Sequence, residues 1–93
     1  MSEFKTPVHV VCAIIERDGR VLMAQRPDGK HLAGCWEFPG GKIEEDETPA
    51  QALHRELIEE LGCEVVITLE GPAVPWSYDW GNIMLHAFSC RVA

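Results

Sequence analysis

The feature that most constrains the fold is a strongly marked helix in the second half of the chain. Thr48 is suited to cap its N-terminus, Pro49 to occupy its first position, and Gln51 to complete a capping box. Gly62 is placed to end the helix, because glycine readily adopts the left-handed conformation found at helix C-termini. The apolar residues that recur at every fourth position between these limits are Leu53, Leu57 and Leu61. This stripe predicts a helix that packs one face on a sheet.

Strand-like segments flank this helix on both sides. The segments rich in apolar and β-branched residues, each predicted to be a strand, are Val8 to Glu16, Val21 to Gln25, Val65 to Leu69 and Ile83 to Val92. Asp18-Gly19 predicts a hairpin turn between the first two. Gly71 to Asn82, rich in proline and aromatic residues, is predicted to be a connection. The order β-β-helix-β-β predicts a single mixed α/β domain over residues 1–93.

Charge and cysteine spacing exclude several classes of protein. The formal net charge of −7 argues against binding to a nucleic-acid polymer, because an acidic surface repels the phosphate backbone. No apolar run is long enough for a membrane span, so we expect a cytoplasmic protein with no membrane partner. The cysteines, whose spacing fits neither a zinc site nor a disulfide framework, are Cys12, Cys35, Cys63 and Cys90.

Three glutamates share one face of the predicted helix. At about 100° per residue, Glu56, Glu59 and Glu60 are expected to converge beside the leucine stripe. Like charges at this spacing oppose one another, and the C-terminal end of a helix disfavours anions, so folding alone would not select them. One interpretation is a solvated acidic face on which Arg55 pairs with Glu59. The other is a site for a hard cation such as Mg²⁺ or Mn²⁺, which would allow an acidic protein to bind phosphate.

A Gly-Gly turn lies upstream of the helix, in the run Pro39-Gly40-Gly41-Lys42. It is not a P-loop, because the spacing to the lysine differs and no Ser or Thr follows. Paired glycines permit positive φ or a close approach to a neighbour, so a backbone carbonyl here could point toward the helix acids. An ordinary tight turn is the alternative.

Together these residues form a recognisable pattern. Gly41 and Glu47 precede Arg55-Glu56-Leu57-Ile58-Glu59-Glu60-Leu61-Gly62-Cys63 at fixed spacings, and this resembles the Nudix box. Cys63 replaces the final aliphatic residue and is itself a small hydrophobe. The upstream runs Ala13 to Pro27 and Trp36 to Lys42 are similar to the MutT-like branch, whose members hydrolyse nucleoside triphosphates. The resemblance implies a mixed β-sheet with the Nudix helix packed on it.

The resemblance also implies roles for individual residues. The implied ligands of Mg²⁺ (or Mn²⁺) are Glu56, Glu59, Glu60 and the Gly40 carbonyl. Arg55 would orient the glutamates, and Glu47 would support the junction between loop and helix. Arg26 and Lys42 would face the substrate phosphates. The implied reaction converts a nucleoside triphosphate, including oxidised forms, to a nucleoside monophosphate and pyrophosphate.

The sequence leaves two interpretations for the residues that would recognise a nucleotide base. The aromatic residues that could stack on a base are Phe38, Trp76, Tyr78 and Trp80, and packing within the core or a hairpin is the alternative. Within the family, dinucleoside polyphosphates or ADP-ribose are rival substrates. A non-catalytic binding module or an inactive fragment with the Nudix fold is a further alternative.

The last predicted strand, Ile83 to Val92, lies next to the C-terminus. Relatives are usually longer and place a water-activating glutamate further on, so the resemblance implies a C-terminally truncated domain in which Glu56 or Glu59 would take that role. We expect this strand to expose either an edge or an apolar face at residues such as Met84, Phe88 and Val92. A homodimer would cover it.

Overall fold

In the computed structural model the described residues, 6–29 and 32–93, form seven strands and one helix. The strands are β1 (Val8–Arg17), β2 (Arg20–Val21), β3 (Ala24–Gln25), β4 (Trp36–Glu37), β5 (Gly40–Lys42), β6 (Val65–Tyr78) and β7 (Gly81–Val92), and the helix is α1 (Pro49–Leu61). The predicted mixed α/β arrangement, with a helix between two groups of strands, is confirmed. Over these same residues, no helix is both long and apolar enough to cross a membrane.

The helix α1 begins and ends where its capping residues predicted. Thr48 Oγ1 accepts a hydrogen bond from the Gln51 N–H at 3.1 Å, and Gln51 Oε1 accepts one from the Thr48 N–H at 2.9 Å. Gly62 has a left-handed φ of 67°, and its N–H donates to the Ile58 carbonyl at 2.9 Å. These bonds satisfy backbone groups that a helix leaves unpaired at its ends. Local sequence therefore defines both limits of α1.

The main sheet is mixed, with strand order β2-β1-β7-β6 and with β5 paired to another part of β1. β1 and β7 run parallel, from the Val8/Ile83 pair to the Ile15/Cys90 pair. The other pairings are antiparallel, including that of β3 with β4 in a separate two-stranded sheet. This topology places the last strand in the middle of the sheet. It also pairs Gly40 and Gly41 with β1, so the predicted Gly-Gly turn is instead part of strand β5.

The predicted hairpin turn at Asp18-Gly19 is confirmed. Arg17 pairs with Arg20 across it, and Asp18 and Gly19 have positive φ values of 53° and 77°, as a two-residue hairpin turn favours. The second strand is shorter than predicted, because the chain leaves β1 after Val21 and its next strand pairs with β4. The predicted strand is therefore two short strands in different sheets.

The predicted connection from Gly71 to Asn82 is wrong, because most of it is strand. β6 continues to Tyr78, and only residues 79–80 separate it from β7. Pro75 is compatible with β6 because this strand forms the edge of the sheet, where one side of the backbone needs no ladder partner. Two register shifts against β7 interrupt the pairing before Pro75. Proline and aromatic content thus marked an edge strand here, not a loop.

The core lies between α1 and one face of the main sheet. Its buried members are Val11, Ala13, Ile15, Ala52, Leu53, Leu57, Val65, Phe88 and Cys90. Val11, Ala13 and Ile15 of β1 share the face under α1, and Cys12, whose side chain points to the other face, is also buried. Leu53 and Leu57 are fully buried, as the leucine stripe predicted, whereas Leu61 is 36% exposed. The prediction that Leu61 packs on the sheet is therefore wrong, and the covered stripe ends one turn earlier.

The expectation that the last strand forms an edge is wrong. β7 lies between β1 and β6, and Phe88 on it is only 1% exposed because it joins the core under α1. Met84 is half-buried, and Val92 is exposed at the end of the strand. The periodicity of a strand does not reveal its neighbours, so its position in the sheet was not visible in the sequence.

The face of the sheet opposite α1 carries exposed apolar side chains. Leu69, Val74 and Trp76 of β6 are 65%, 46% and 60% exposed. Their register with β7 places them on the face away from Phe88, because successive side chains alternate across a strand. An apolar face of this kind favours association.

We expect a second copy of the chain to cover this face, so the homodimer remains a prediction. Light scattering of the purified 93-residue chain should report a dimer, and Leu69→Glu should shift it to a monomer by placing a charge in the apolar contact. Ile58→Glu, on the exposed side of α1, is the matched control and should leave the dimer intact. A wild-type chain that stays monomeric as its concentration rises would contradict the prediction.

Candidate active site

Arg55 links the helix to the loop that precedes it. Its Nε and Nη2 atoms donate to the two carboxylate oxygens of Glu47, at 2.7 and 3.0 Å. Nη2 also donates to the Lys42 carbonyl at 3.0 Å, and Glu44 Oε1 lies 3.7 Å from Nη1. A bidentate contact between a guanidinium and a carboxylate is both strong and geometrically specific. Arg55 therefore ties the segment between β5 and α1 to the helix, which is where Glu47 was predicted to act.

The same guanidinium holds two of the predicted metal ligands. Nη1 donates to Glu56 Oε1 at 3.0 Å and lies 3.3 Å from Glu59 Oε2. The hydrogen bond between Arg55 and Glu47 is the largest cause that raises the pKa of Arg55 and lowers the pKa of Glu47. The network thus keeps the guanidinium protonated and the Glu47 carboxyl ionised. Arg55 is placed to orient both helix glutamates, and this role remains a prediction.

Glu60 lies against Gly40 at the start of β5. The Gly40 N–H donates to Glu60 Oε1 at 3.0 Å. Burial is the main cause that raises the pKa of Glu60, and the charge of Glu56 adds to it, whereas the Gly40 hydrogen bond acts in the opposite direction. The ionised carboxylate is therefore disfavoured at this position. A cation nearby would favour the ionised form.

Other groups approach the backbone of both glycines closely, and at Gly40 the neighbour is the backbone of β1, which leaves no room for a side chain. A Cβ atom on Gly41 would overlap the Glu56 carboxylate, and one on Gly40 would overlap the Val11 carbonyl in β1. The start of β5 thus brings glycine backbone against a helix acid, and the predicted close approach is confirmed. The Gly40 carbonyl as a metal ligand remains a prediction.

The spacing of the three helix acids predicted that they converge on one point. In the structure they do not. Arg55 draws Glu56 and Glu59 toward itself, because a guanidinium attracts carboxylates, and Glu60 accepts from Gly40. Among the described residues, no three His, Cys, Asp or Glu side chains are grouped as a metal site. The donors are nevertheless carboxylate oxygens alone, and this set suits a hard cation such as Mg²⁺ or Mn²⁺.

Arg26 and Phe38, predicted to contact substrate, follow β3 and β4, and because these strands are antiparallel the two residues lie at opposite ends of their pairing. Arg26 Nη1 is 3.2 Å from Glu37 Oε1, and Glu37 is the residue before Phe38. Phe38 is 37% exposed, so part of its ring is accessible to a ligand. The ion pair to Glu37 was not predicted, because only the pairing of β3 with β4 brings these residues together.

Tyr78 and Lys42, the other predicted substrate contacts, occupy separate places. Tyr78 stacks on Trp80 at the turn between β6 and β7, with ring centroids 5.1 Å apart and planes 6° apart. This is the hairpin packing that was the alternative to base stacking. Lys42 ends β5 and contributes its carbonyl to Arg55. Substrate contacts for both side chains remain predictions.

The Arg55 network yields a prediction that separates activity from stability. Arg55→Ala should lower hydrolysis by about 10- to 100-fold, the usual range when a group that orients metal ligands is lost. Its melting temperature should also fall, because the bidentate contact with the mostly buried Glu47 is lost, but the loss of activity should be the larger effect. Steady-state kinetics and thermal unfolding would measure both effects, with the neighbouring exposed His54→Ala as the control. Full turnover combined with a large drop in melting temperature would mean that Arg55 is only structural.

The fold and this arrangement together define the family. Residues 5–93 match the family model described as NUDIX domain, so the chain belongs to the Nudix family. The predicted fold, a mixed sheet with the Nudix helix packed on it, is confirmed by a NUDIX hydrolase from Nitrosomonas europaea. That structure superposes with a TM-score of 0.85 at 26% identity, over 95% of this chain and 60% of that one.

Curated relatives place the chain in the MutT-like branch, as predicted. It is 60% identical over 60 residues to the CTP pyrophosphohydrolase of Escherichia coli (strain K12), a match that covers 64% of this chain and 44% of that protein. It is 50% identical over 62 residues to the 8-oxo-dGTP diphosphatase of Proteus vulgaris, covering 66% and 55%. The chain spans about half the length of these relatives.

Proposed function

We propose that this chain hydrolyses a nucleoside triphosphate to a nucleoside monophosphate and pyrophosphate, in a reaction that depends on Mg²⁺ or Mn²⁺. The observation that carries the proposal is the Arg55 network, which joins Glu47 of the loop to Glu56 and Glu59 of α1. An acidic face that served only for solvation would not need a guanidinium that forms ion pairs with four carboxylates.

The residues present fit a hard divalent cation. Glu56, Glu59 and Glu60 would hold it, with the Gly40 carbonyl as a further oxygen donor. Such a cation would neutralise charge on the phosphate oxygens and make a bound water more acidic. Partial burial raises the pKa of Glu60, and a positive neighbour would favour its ionised form. Gly41 leaves room for the Glu56 carboxylate beside β5.

The remaining residues of the proposal bind substrate. Arg26 supplies a guanidinium, which suits a phosphate, and Phe38 supplies a partly exposed ring, which suits a base. Glu37 holds that guanidinium and limits the directions in which it can donate. We propose CTP and 8-oxo-dGTP as the first substrates to test, because these are the compounds in the names of the two relatives described above.

The products decide between this proposal and its rivals. The 93-residue chain would be incubated with Mg²⁺ and, in separate reactions, CTP, 8-oxo-dGTP, ADP-ribose and a dinucleoside polyphosphate. We expect a nucleoside monophosphate and pyrophosphate in equal amounts from a triphosphate, and no product after chelation of the metal. Orthophosphate with a nucleoside diphosphate would overturn the reaction, and cleavage of ADP-ribose or the dinucleotide alone would overturn the substrate class. Nucleotide binding without any product would favour the binding module.

A further inference from the structure

Glu37, the last residue of β4, holds the arginine that is proposed to bind phosphate. In the antiparallel pairing of β3 with β4, Ala24 lies opposite Glu37, and Arg26 is two residues beyond Ala24. Arg26 and Glu37 are therefore diagonal neighbours on one face, within reach of a long side chain. Arg26 Nη1 donates to both carboxylate oxygens of Glu37, at 3.2 and 3.3 Å.

Glu37 also belongs to the group of acids around the predicted metal site. It precedes Gly40 by three residues, and the Gly40 N–H donates to Glu60 Oε1 at 3.0 Å. The charge of Glu37 raises the pKa of Glu60, and it does so more strongly than the charge of Glu59, the chain neighbour of Glu60. Glu37 is therefore a fourth carboxylate of this group, which helical spacing could not reveal because it lies on β4.

The two sets of neighbours act on the Glu37 carboxylate in opposite directions. The carboxylates of Glu56 and Glu60 repel it, because they carry the same charge, and the guanidinium of Arg26 attracts it. A divalent cation held by the helix acids would change this repulsion into attraction and weaken the hold of Glu37 on Arg26. A phosphate would act on the same pair from the other side, because it competes with Glu37 for the guanidinium.

We propose that Glu37 is a positioning residue that couples the cation site on α1 to phosphate binding at Arg26, an inference that rests on the hydrolase function proposed above. When the cation site is filled, Glu37 turns toward the helix acids and releases Arg26 to the phosphate. When a phosphate holds Arg26, the charge of Glu37 favours the cation. Because coupling between two sites is reciprocal, the cation and the nucleotide each raise the affinity for the other by the same factor.

Titration of the full 93-residue chain with Mg²⁺ in the absence of nucleotide tests the coupling by NMR. We expect the side-chain Nε–H signal of Arg26 to shift as Mg²⁺ binds, and that of Arg91, which is exposed on β7, to stay in place. In Glu37→Gln the Arg26 signal should no longer respond to Mg²⁺. An Arg26 signal that stays in place in the wild type while the Gly40 amide signal shifts would overturn the coupling alone. If no signal shifts, Mg²⁺ does not bind, and the proposed function fails together with this inference.

A double-mutant cycle on the pair measures the coupling as a change in Mg²⁺ affinity by calorimetry. Arg26→Gln should strengthen Mg²⁺ binding, because Arg26 no longer competes for the Glu37 carboxylate, and Glu37→Gln should weaken it. The effect of Arg26→Gln should be at least about fivefold smaller in the Glu37→Gln background, the low end of the usual range for coupled sites. Equal effects of Arg26→Gln in the two backgrounds would overturn the proposal.

Two further variants control for the change in net charge. Arg91→Gln on β7 and Glu16→Gln on β1 remove the same charges at exposed positions outside the site. Each should leave Mg²⁺ affinity close to that of the wild type, because solvent and salt screen distant charges. A change in Arg91→Gln as large as that in Arg26→Gln would assign the effect to net charge and overturn the role of Glu37.

Discussion

Glu60→Gln should lower nucleotide hydrolysis by roughly 100-fold or more, because a catalytic cation contributes several kcal/mol to the transition state. Glutamine removes one negative charge from the proposed ligand set and keeps the oxygen that accepts from the Gly40 N–H. Burial disfavours the Glu60 carboxylate, so the neutral variant should be as stable as the wild type or more stable. A loss of activity without a loss of stability is the result expected if Glu60 acts in the reaction and does not stabilise the fold.

Calorimetric titration with Mg²⁺ would show whether the lost activity reflects lost metal. Glu56→Gln should behave in the same way, since its carboxylate lies beside Gly41. Glu64→Gln is the matched control, because Glu64 is exposed just beyond the end of α1 and should bind Mg²⁺ normally. If Glu60→Gln and Glu56→Gln both keep wild-type Mg²⁺ affinity and turnover, the assignment of the metal site is wrong.

Phe88→Ala should lower the free energy of unfolding by about 3–5 kcal/mol, the usual cost of replacing a buried phenylalanine by alanine. Phe88 is 1% exposed and packs in the same cluster as Leu53 and Leu57 of α1. A domain of this size has a total stability of roughly 5–14 kcal/mol. The variant should therefore lose a large part of its stability.

Urea denaturation monitored by circular dichroism would measure this effect. Ile58→Ala is a suitable control, because Ile58 lies on α1 but is 51% exposed, and an exposed position should change stability by about 0.5 kcal/mol or less. Equal unfolding midpoints for Phe88→Ala and the wild type would show that β7 does not form the core under α1. That result would also revive the expectation that Phe88 lies on an uncovered face.

Local sequence determined those parts of the fold whose free energy depends on neighbouring residues. The limits of α1 follow from Thr48, Gln51 and Gly62, whose hydrogen bonds reach no further than four residues. The Asp18-Gly19 turn is equally local, because its positive φ values depend on these two residues. The residue types of the Nudix box likewise identified the family before any contact was known.

The candidate site was predictable in its members and less so in its geometry. Helical periodicity placed Glu56, Glu59 and Glu60 on one side of α1, and the structure agrees that they neighbour Arg55 and the start of β5. Periodicity gives directions from the helix axis but not side-chain conformations. The sequence therefore could not show that Glu56 and Glu59 contact Arg55 while Glu60 contacts Gly40, because these contacts depend on the segment that packs against the helix.

Tertiary structure alone decided which strands meet. The parallel pairing of β1 with β7 joins His9 to His86, 77 positions apart, and it places Phe88 under α1 and leaves β6 at the edge. A strand pattern states which side chains share a face, but the same pattern fits an edge or a central position. Whether a strand takes an edge or a central position depends on a balance of two terms. Burial of apolar area between distant segments stabilises a pairing, and the entropy lost in closing the chain between them opposes it. Both quantities belong to the whole chain, so no local stretch of the sequence contains them.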